Sequence, residues 1–335
     1  MLKPVSLPPR CRCPANPASL PTGREHPWLA PLAGYSDLTF RILCREYGAA
    51  VCVTEMVSAK GLVYSGAGTR DLLAAAPEDQ PLVVQLFGSE PEFLRQAVEI
   101  LREAGYGWFD LNMGCAVRKV MRQGAGAALL DDPANALAAA KAMLAAAGRG
   151  RVGFKLRLGV SGEYSGPALT DLALRLQDMG AGWLALHPRT ARQGFSGQAN
   201  WDAIARLVHK LSLPLLASGD LLTAEDGLRC LDLTGAAGVM YARGAMRNPA
   251  IFAAHRALCQ KGSPQKTAPL HDMILRHMAL ARALGSDDRA LRKMRSVIPH
   301  YARSAPGARA LRDAICRCAN WQELEGALAA FFRIP

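Results

Sequence analysis

The cysteine spacings that mark disulfide frameworks and zinc sites are missing from this 335-residue chain. The nine cysteines are scattered and odd in number, and no secretory leader is recognisable, so we expect free thiols in the reducing cytoplasm. Two close pairs, Cys11 with Cys13 and Cys316 with Cys318, have no histidine pattern beside them. We therefore expect no bound metal.

Long apolar runs are also missing. No stretch of about 18 apolar residues occurs, so we expect no membrane span. Apolar residues nevertheless make up 50% of the chain, which is ample for the core of one large domain with a small second one.

The net charge of +12 is concentrated at the two ends of the chain. Residues 28–255 contain 22 Lys and Arg against 21 Asp and Glu, whereas residues 256–333 contain 14 against 6 and residues 1–27 contain 4 against 1. A nearly neutral body with a basic appendage is typical of a protein that binds a polyanion, although a basic surface without a partner is the alternative.

Residues 1–27 contain seven prolines and no periodicity, which predicts a disordered extension. Eight short apolar runs then predict strands: 28–34, 50–56, 82–87, 108–113, 152–158, 183–187, 213–218 and 238–243. Helical spacing between and after them predicts helices at 91–104, 133–147, 168–179, 201–211, 223–232, 270–284, 289–302, 308–318 and 321–332. We therefore expect a catalytic domain over 28–262 and a small helical bundle over 266–335.

Eight apolar strands alternating with helices favour an α/β fold of the parallel (β/α)8 TIM-barrel type. A doubly wound open sheet is the alternative, but no G-x-G-x-x-G motif follows the first strand. Asp37 stands there instead, where it can cap the next helix.

Polar residues follow the predicted strands, where a barrel collects its functional side chains on one rim. These strand ends are Pro31, Glu55, Gln85, Asn112 with Cys115, Lys155 with Arg157, His187 with Arg189, Ser218 with Asp220, and Arg243. The last two loops contain Gly219 and Gly244 beside Arg243, which suits a phosphate, although both glycines can serve tight turns alone. A flat heterocycle with a phosphate tail, such as flavin mononucleotide (FMN), fits this set of groups.

The loop after the fourth predicted strand carries a lone thiol, Cys115, followed by the cations Arg118, Lys119 and Arg122. A buried cysteine is more often a small hydrophobic residue. Here the flanking cations favour a reactive group facing an anionic substrate.

Taken together, the motifs resemble those of the tRNA-dihydrouridine synthases, a flavin-dependent family. The matching segments are APLAGYSD (30–37), FR (40–41), TEM (54–56), LNMGC (111–115), RKV (118–120), QGAGAALL (123–130), KLR (155–157), HPRT (187–190), QGFSG (193–197), SGD (218–220) and, in the tail, PGARALR (306–312). The chain differs from the family's usual pattern at four positions: Ala116, Pro188, Ser218 and Ala242.

The resemblance implies a role for each rim residue. The flavin-binding set is Pro31, Leu32, Ala33, Gln85, Lys155, His187, Ser218, Gly219, Asp220, Ala242 and Arg243. Cys115 is implied to be the general acid and Asn112 to orient the uracil, and we place Arg157 and Arg189 with the substrate. The implied partners are tRNA and a nicotinamide cofactor, NADPH or NADH, with no obligate protein partner.

The implied reaction is chemically consistent with these groups. Carbon 6 of uracil is the electrophilic end of the double bond and accepts hydride from reduced flavin, after which carbon 5 needs a proton. An unperturbed thiol is mostly protonated at neutral pH and can supply it. Two alternatives remain: a flavin barrel acting on a free pyrimidine, like a dihydroorotate dehydrogenase, and a catalytically silent RNA-binding protein.

Overall fold

The structure is a computed structural model that describes residues 19–66, 68–161, 167–260 and 269–333. Residues 1–18 of the predicted extension and the predicted boundary between the two domains lie outside the described residues. The strands are β1 (Trp28–Leu29), β2 (Val51–Val53), β3 (Val57–Ser58), β4 (Leu82–Phe87), β5 (Phe109–Met113), β6 (Val152–Arg157), β7 (Trp183–His187), β8 (Leu215–Ala217) and β9 (Gly238–Tyr241).

These strands pair in parallel, and the pairing of β1 with β9 closes the sheet. Both β2 and β3 pair with β4, so they are two halves of one interrupted strand. The described residues therefore form eight strand positions around a closed barrel, and the predicted (β/α)8 fold is confirmed. The open-sheet alternative is wrong because an open sheet ends in two edge strands, whereas here β1 pairs with both β2 and β9, and β2 also pairs with β4.

The helices follow the predicted spacing closely. In the barrel they are α1 (Leu38–Glu46), α2 (Ala59–Val63), α3 (Thr69–Leu72), α4 (Pro91–Glu103), α5 (Arg118–Met121), α6 (Pro133–Ala147), α7 (Pro167–Met179), α8 (Trp201–Val208), α9 (Ala224–Thr234), α10 (Arg243–Arg247) and α11 (Ile251–Cys259). In the tail they are α12 (Leu270–Leu284), α13 (Asp287–Tyr301), α14 (Ala308–Ile315) and α15 (Trp321–Phe332). Short 3-10 turns lie at Pro77–Asp79 and Gly126–Asp131.

Helix starts are fixed by the side chains that the sequence places there. Asp37 caps α1 as predicted, because its Oδ1 accepts a hydrogen bond of 3.1 Å from the Phe40 amide. Thr223 and Asp226 form a reciprocal capping box at the start of α9.

The barrel interior below the rim is filled by Trp28, Trp108 and Trp183 with smaller apolar side chains. Trp28 donates from its indole to the Pro21 carbonyl at 2.9 Å, and Leu20 is buried in the same cluster. Residues 19–27 are thus ordered against the end of the barrel where the strands begin. The prediction of disorder is wrong for these residues, because buried apolar contacts and backbone hydrogen bonds offset the loss of chain entropy despite the prolines.

The tail helices pack on α1 and on the loop that follows β1. The buried His277 of α12 lies 3.3 Å from the Thr39 hydroxyl, and Lys293 of α13 forms an ion pair of 2.9 Å with Asp37. Tyr35 in the loop contacts His300 at 2.8 Å. No helix in the described ranges is long and apolar enough to cross a membrane.

Candidate active site

A cavity of about 380 Å³ opens at the carboxyl ends of the barrel strands. It is lined by Ala30, Pro31, Leu32, Ala33, Met56, Gln85, Asn112, Gly114, Cys115, Ala116, Val117, Lys155, Arg157, His187, Gly194, Phe195, Ser218, Gly219, Asp220, Leu221, Leu222, Ala242 and Arg243. Every residue predicted to bind the flavin or the substrate except Arg189 is in this lining, as is Cys115, whereas the strand-end residue Glu55 is not and accepts a hydrogen bond from the Gly34 amide. Its size and mixed lining are those of a site for a small molecule or cofactor.

A chain of hydrogen bonds runs through the cavity floor to the thiol loop. Asp110 accepts from the Gln85 side chain at 2.7 Å, and the Gln85 oxygen accepts from Asn112 at 2.8 Å. The Asn112 oxygen in turn accepts from the amides of Gly114 at 3.1 Å and Cys115 at 2.8 Å. Asn112 therefore fixes the conformation of the loop that carries the thiol, and one of its two N–H groups is already engaged.

Lys155 lies on β6 directly beside Asn112 of β5. Burial and, to a smaller extent, the charge of Arg157 lower the pKa of its ammonium from 10.5 to about 8, and the charge of Asp110 opposes the shift. No hydrogen-bond acceptor for the ammonium is found within the described part of the chain. The charged group is thus available to an anionic or hydrogen-bonding ligand in the cavity.

Arg157 is held more tightly than the sequence predicts. Its Nε donates to the Gly114 carbonyl at 2.8 Å, and its Nη1 donates to the carbonyls of Thr190 and Gly194, each at 3.0 Å. These bonds connect the thiol loop after β5 with the loop after β7. Arg157 lines the cavity, but most of its donors are engaged in holding the two loops together.

Arg189 lies behind the cavity rather than in its wall, with a side chain that is 1% exposed. Its donors bind the carbonyls of Ser196 and Gly197 and, at 2.6 Å, the Asp220 carboxylate. The prediction that Arg189 contacts the substrate is therefore corrected. A buried guanidinium has to satisfy its donors internally, and here it supports the loops on either side of it.

His187 is held neutral at the cavity wall. Burial and the surrounding cations, first among them Lys155, lower the pKa of its imidazole to about 2. Its Nε2 lies 3.3 Å from Nη1 of Arg189. Because arginine can only donate, Nε2 is the acceptor and Nδ1 carries the proton. His187 thus presents one N–H donor.

Asp220 joins the two arginines of this side of the site. Its carboxylate accepts from Arg189, from Arg243 at 3.0 Å and from the Ala199 amide at 2.7 Å. Burial would raise the pKa of this carboxyl, but the hydrogen bonds from Arg189 and Ala199 outweigh that effect, so the pKa is lowered. Asp220 is therefore ionised at neutral pH and fixes the guanidinium of Arg243 at the cavity wall.

Two backbone positions shape the loops after β8 and β9. Gly219 has a φ of +98°, and a Cβ there would lie 2.5 Å from the His187 ring, so only glycine fits. Ala242 has a negative φ of −118°, with a ψ of −93°. The alanine at this position therefore needs no left-handed backbone.

Sequence reasoning assigns no role to several residues around the cavity, and two of them, Phe195 and Asp110, bear on its chemistry. Phe195 is 60% exposed at the mouth, with the guanidinium of Arg243 4.3 Å from its ring centroid. Its signal was the QGFSG segment itself, in which an aromatic residue stands in a polar loop. Asp110, beneath Gln85, was hidden because one acidic residue inside an apolar strand has no distinctive spacing.

Comparison with known sequences now decides the family. The sequence profile described as "Dihydrouridine synthase (Dus)" matches residues 28–334. The chain belongs to the dihydrouridine synthase family. The family and the class of enzyme predicted from the motifs, a flavin-dependent oxidoreductase, are confirmed.

Curated relatives extend over most of the chain. A protein of Synechocystis sp. named "Probable tRNA-dihydrouridine synthase 1" is 34% identical over 88% of this chain and 82% of its own length. A "Probable tRNA-dihydrouridine synthase" of Treponema pallidum is 37% identical over 70% of this chain and 71% of its own. A "tRNA-dihydrouridine synthase B" of Shewanella oneidensis is 32% identical over 82% and 85%.

Among solved structures, morphinone reductase in complex with tetrahydroNAD superposes with a TM-score of 0.50. The match covers 76% of this chain and 93% of that one at 13% identity. At this identity the likeness establishes the barrel fold alone.

Proposed function

We propose that the chain is an FMN-dependent tRNA-dihydrouridine synthase that reduces the carbon 5–carbon 6 double bond of uridines in tRNA, with NADPH or NADH as electron donor. One observation carries the proposal: a single cavity has the Cys115 thiol and the Arg243 guanidinium on loops from opposite sides of the barrel, with Lys155 on the strand next to the thiol loop. A proton donor, a phosphate-binding cation and a ring-facing cation are the groups this reaction requires.

The cavity residues suit FMN by their donors. Arg243 has donors beyond the one given to Asp220, and a guanidinium fork matches a phosphate. The His187 Nδ1, the Lys155 ammonium and the Gln85 amide are hydrogen-bonding groups suited to the polar edge of an isoalloxazine ring. The bare backbone at Gly219 lets the loop after β8 approach the His187 ring closely.

When bound and reduced, the flavin supplies the hydride that carbon 6 of the uracil accepts. The protein then has to deliver a proton to carbon 5 and stabilise negative charge on the uracil oxygens. Cys115 is the proton donor in this proposal, because it is the thiol in the cavity lining and its loop is fixed by Asn112. Lys155 is the group that stabilises the developing charge.

The nicotinamide cofactor is assigned to the first half of the cycle, in which the flavin is reduced. Such a cycle separates the roles of the residues: the flavin-binding groups serve both halves, whereas the thiol serves only the half in which uridine is reduced. This separation makes the proposal testable one half-reaction at a time.

The tail helices contribute to tRNA binding through cations that are not used inside the protein. Arg276, Arg282, Arg289 and Lys293 are paired with Glu46, Glu325, Asp71 and Asp37. Within the described residues, by contrast, the exposed Arg292, Arg303 and Arg309 have no ion-pair partner. Arg292 and Arg303 are therefore strong candidates to contact RNA.

Arg303 also lies on the side of the tail that faces the cavity. Burial lowers the pKa of His300, and the charges of Arg303 and Arg247 lower it further, so both arginines are near this ring. His300 in turn contacts Tyr35, in the loop whose residues 31–33 line the cavity. Across the mouth, Arg118, Lys119 and Arg122 are exposed after the thiol loop. Two groups of cations thus flank the entrance that a flipped-out base would use.

The thiol assignment is tested with Cys115→Ala in the full chain. We expect bound flavin and its reduction by NADPH to be unchanged, and flavin reoxidation by tRNA to slow by about a hundred- to ten-thousand-fold, the usual contribution of a general acid. Cys316→Ala, at an exposed cysteine of the tail, is the control. Normal dihydrouridine formation by Cys115→Ala would refute the role of the thiol.

The tRNA surface is tested with Arg303→Gln and, as a matched control, Arg282→Gln, whose guanidinium already pairs with Glu325 at 2.7 Å. Only Arg303→Gln should weaken tRNA binding and reduce the magnitude of the log-log salt slope by about 1. Equal effects of the two substitutions would place recognition elsewhere. Rapid flavin reoxidation by free uracil or uridine, in the absence of tRNA, would favour an enzyme of free pyrimidines.

A further inference from the structure

We propose that Asp110, a residue outside the cavity lining, is a positioning residue that sets the geometry of the thiol loop through Gln85 and Asn112. The inference rests on the proposed function, in which Cys115 protonates the uracil. Asp110 lies on the same face of β5 as Asn112, one layer deeper in the barrel, and is 2% exposed. It cannot touch a ligand directly and acts only through its neighbours.

While Asp110 is ionised, the hydrogen-bond donors and acceptors along the chain can alternate in only one way. A carboxylate at 110 accepts, so Gln85 must turn its NH2 toward it at 2.7 Å and its oxygen toward Asn112. Asn112 must then donate to Gln85 and turn its own oxygen toward the Gly114 and Cys115 amides. Both side-chain amides could flip if residue 110 could also donate. The carboxylate thus selects the orientation that holds the thiol loop.

A carboxylate at this depth is costly for the fold. It shares the barrel interior with a cluster of apolar side chains that includes Trp28, Trp108 and Trp183, and its Oδ1 has no hydrogen-bond partner in the described residues. The Trp183 indole N–H is near enough to stabilise it without forming a full hydrogen bond. An apolar side chain would pack here at lower cost, so stability alone does not account for the acid.

The charge of Asp110 also acts on Lys155. The groups that face Asp110 are Gln85 from β4, Lys155 from β6 and Trp183 from β7. Burial raises the pKa of Asp110 to about 7 and lowers that of Lys155 to about 8, and each charge favours the other. Removing the negative charge should therefore let Lys155 lose its proton at a lower pH.

The first test is Asp110→Asn in the full-length flavoprotein, with Met240→Leu as a matched control. Met240 belongs to the same interior cluster, and the substitution conserves volume without touching the hydrogen-bond chain. We expect Asp110→Asn to slow flavin reoxidation by tRNA at least about tenfold, a part of what a general acid contributes. Flavin reduction by NADPH should change less than about threefold, and the basic limb of the pH profile should move to lower pH.

A rescue separates positioning from loss of packing. In Asp110→Asn with Gln85→Glu, the new amide donates to the new carboxylate, which can still accept from Asn112, so the orientation of Asn112 is restored. We expect the double variant to recover reoxidation at least about threefold over Asp110→Asn. A purely structural role for Asp110 would make the second substitution neutral or harmful, since it places another charge in the barrel.

A separate readout does not depend on the reaction. In the wild-type protein Asn112 fixes the thiol loop, so Asp110→Asn should speed alkylation of Cys115 by iodoacetamide at least about threefold, measured on its peptide by mass spectrometry. If tRNA does not reoxidise the flavin of the wild-type protein, the proposed function is wrong. The comparison of Cys115 alkylation rates in wild type and Asp110→Asn would still decide the role of Asp110. If Asp110→Asn fails to fold, Gln85→Ala breaks the same chain. Wild-type reoxidation and alkylation rates in either variant would overturn the proposal.

Discussion

Asp220→Asn is the substitution whose effect can be derived most directly from the contacts. The residue has a φ of 57°, a left-handed conformation that asparagine tolerates nearly as well as aspartate. The change therefore removes the negative charge and one acceptor without introducing backbone strain. It leaves Arg189, which is 1% exposed, without a carboxylate partner and turns an NH2 group toward Arg243.

The magnitude follows from two losses. A hydrogen bond to a charged group contributes about 1.5–3 kcal/mol, and the one from Arg243 is lost. The bond from Arg189 persists to a neutral oxygen, so a buried guanidinium loses its counter-charge, which costs several kcal/mol when the site is closed to water. Because Asp220 is 29% exposed, water offsets part of that cost, and we expect a total of about 3 kcal/mol. At about 2–3 °C per kcal/mol for a large domain, Tm should fall by about 6–9 °C.

The assay is thermal unfolding of wild type, Asp220→Asn and Asp232→Asn, each with and without added FMN. Asp232 pairs with Arg24 at 2.6 Å but is 61% exposed, so its loss should lower Tm much less than the loss of Asp220. Asp220→Asn should also gain less stabilisation from FMN, because Arg243 is no longer held at the cavity wall. Equal Tm values for the two variants would refute the reasoning that the Asp220 network is the supporting element of this side of the site.

Three further predictions follow from single groups. Lys155 loses its charge as pH rises through about 8, so the FMN affinity of the wild type should fall between pH 7 and 9. Lys155→Met should bind FMN about tenfold more weakly, with an affinity that does not change with pH, as measured by fluorescence titration. Gly219→Ala should lose FMN and stability because its Cβ meets the His187 ring, whereas Gly148→Ala, with a similar φ of +95° and open space, should show backbone strain alone. Burial lowers the pKa of His277 from 6.5 to about 4, so stability should fall as pH drops from 6.5 to 4 by on the order of 3 kcal/mol, and less in His277→Gln, as measured by urea unfolding.

The barrel was predictable because parallel strands that are buried on both faces consist of nearly continuous runs of apolar residues. Each run from residue 82 to residue 241 became a strand with bounds within a few positions of the prediction. Since the carboxyl ends of parallel strands converge by topology, the ends of those runs supplied the polar side chains of the cavity lining, but not apolar residues such as Met56 and Val117. The alternation of Lys155 and Arg157 likewise placed both on one face of β6.

The roles of the arginines were not predictable, because a sequence gives donors without their acceptors. Arg157 and Arg189 stand at or just after strand ends, a position that predicts contact with a substrate, yet their donors are engaged by carbonyls of the loops after β5 and β7. Those acceptors are backbone atoms, which every residue possesses and no motif reveals. The same limit applies to Leu20 and Pro21, whose contacts with the barrel depend on tertiary packing that a proline-rich stretch does not predict.

The distribution of charge in the cavity explains why its titratable groups are shifted in one direction. Asp220 compensates Arg189 and Arg243, and Asp110 faces Lys155, whereas Arg157 has no carboxylate within ion-pair distance in the described residues. The uncompensated positive charge lowers the pKa of Lys155 and of His187, beyond the effect of burial. An anionic ligand in the same space would reverse that effect and favour the protonated ammonium. The cations that repel one another in the free protein are therefore those whose charges a bound phosphate-bearing ring would stabilise most. The electrostatic repulsion that destabilises the empty site thus favours binding of an anionic ligand.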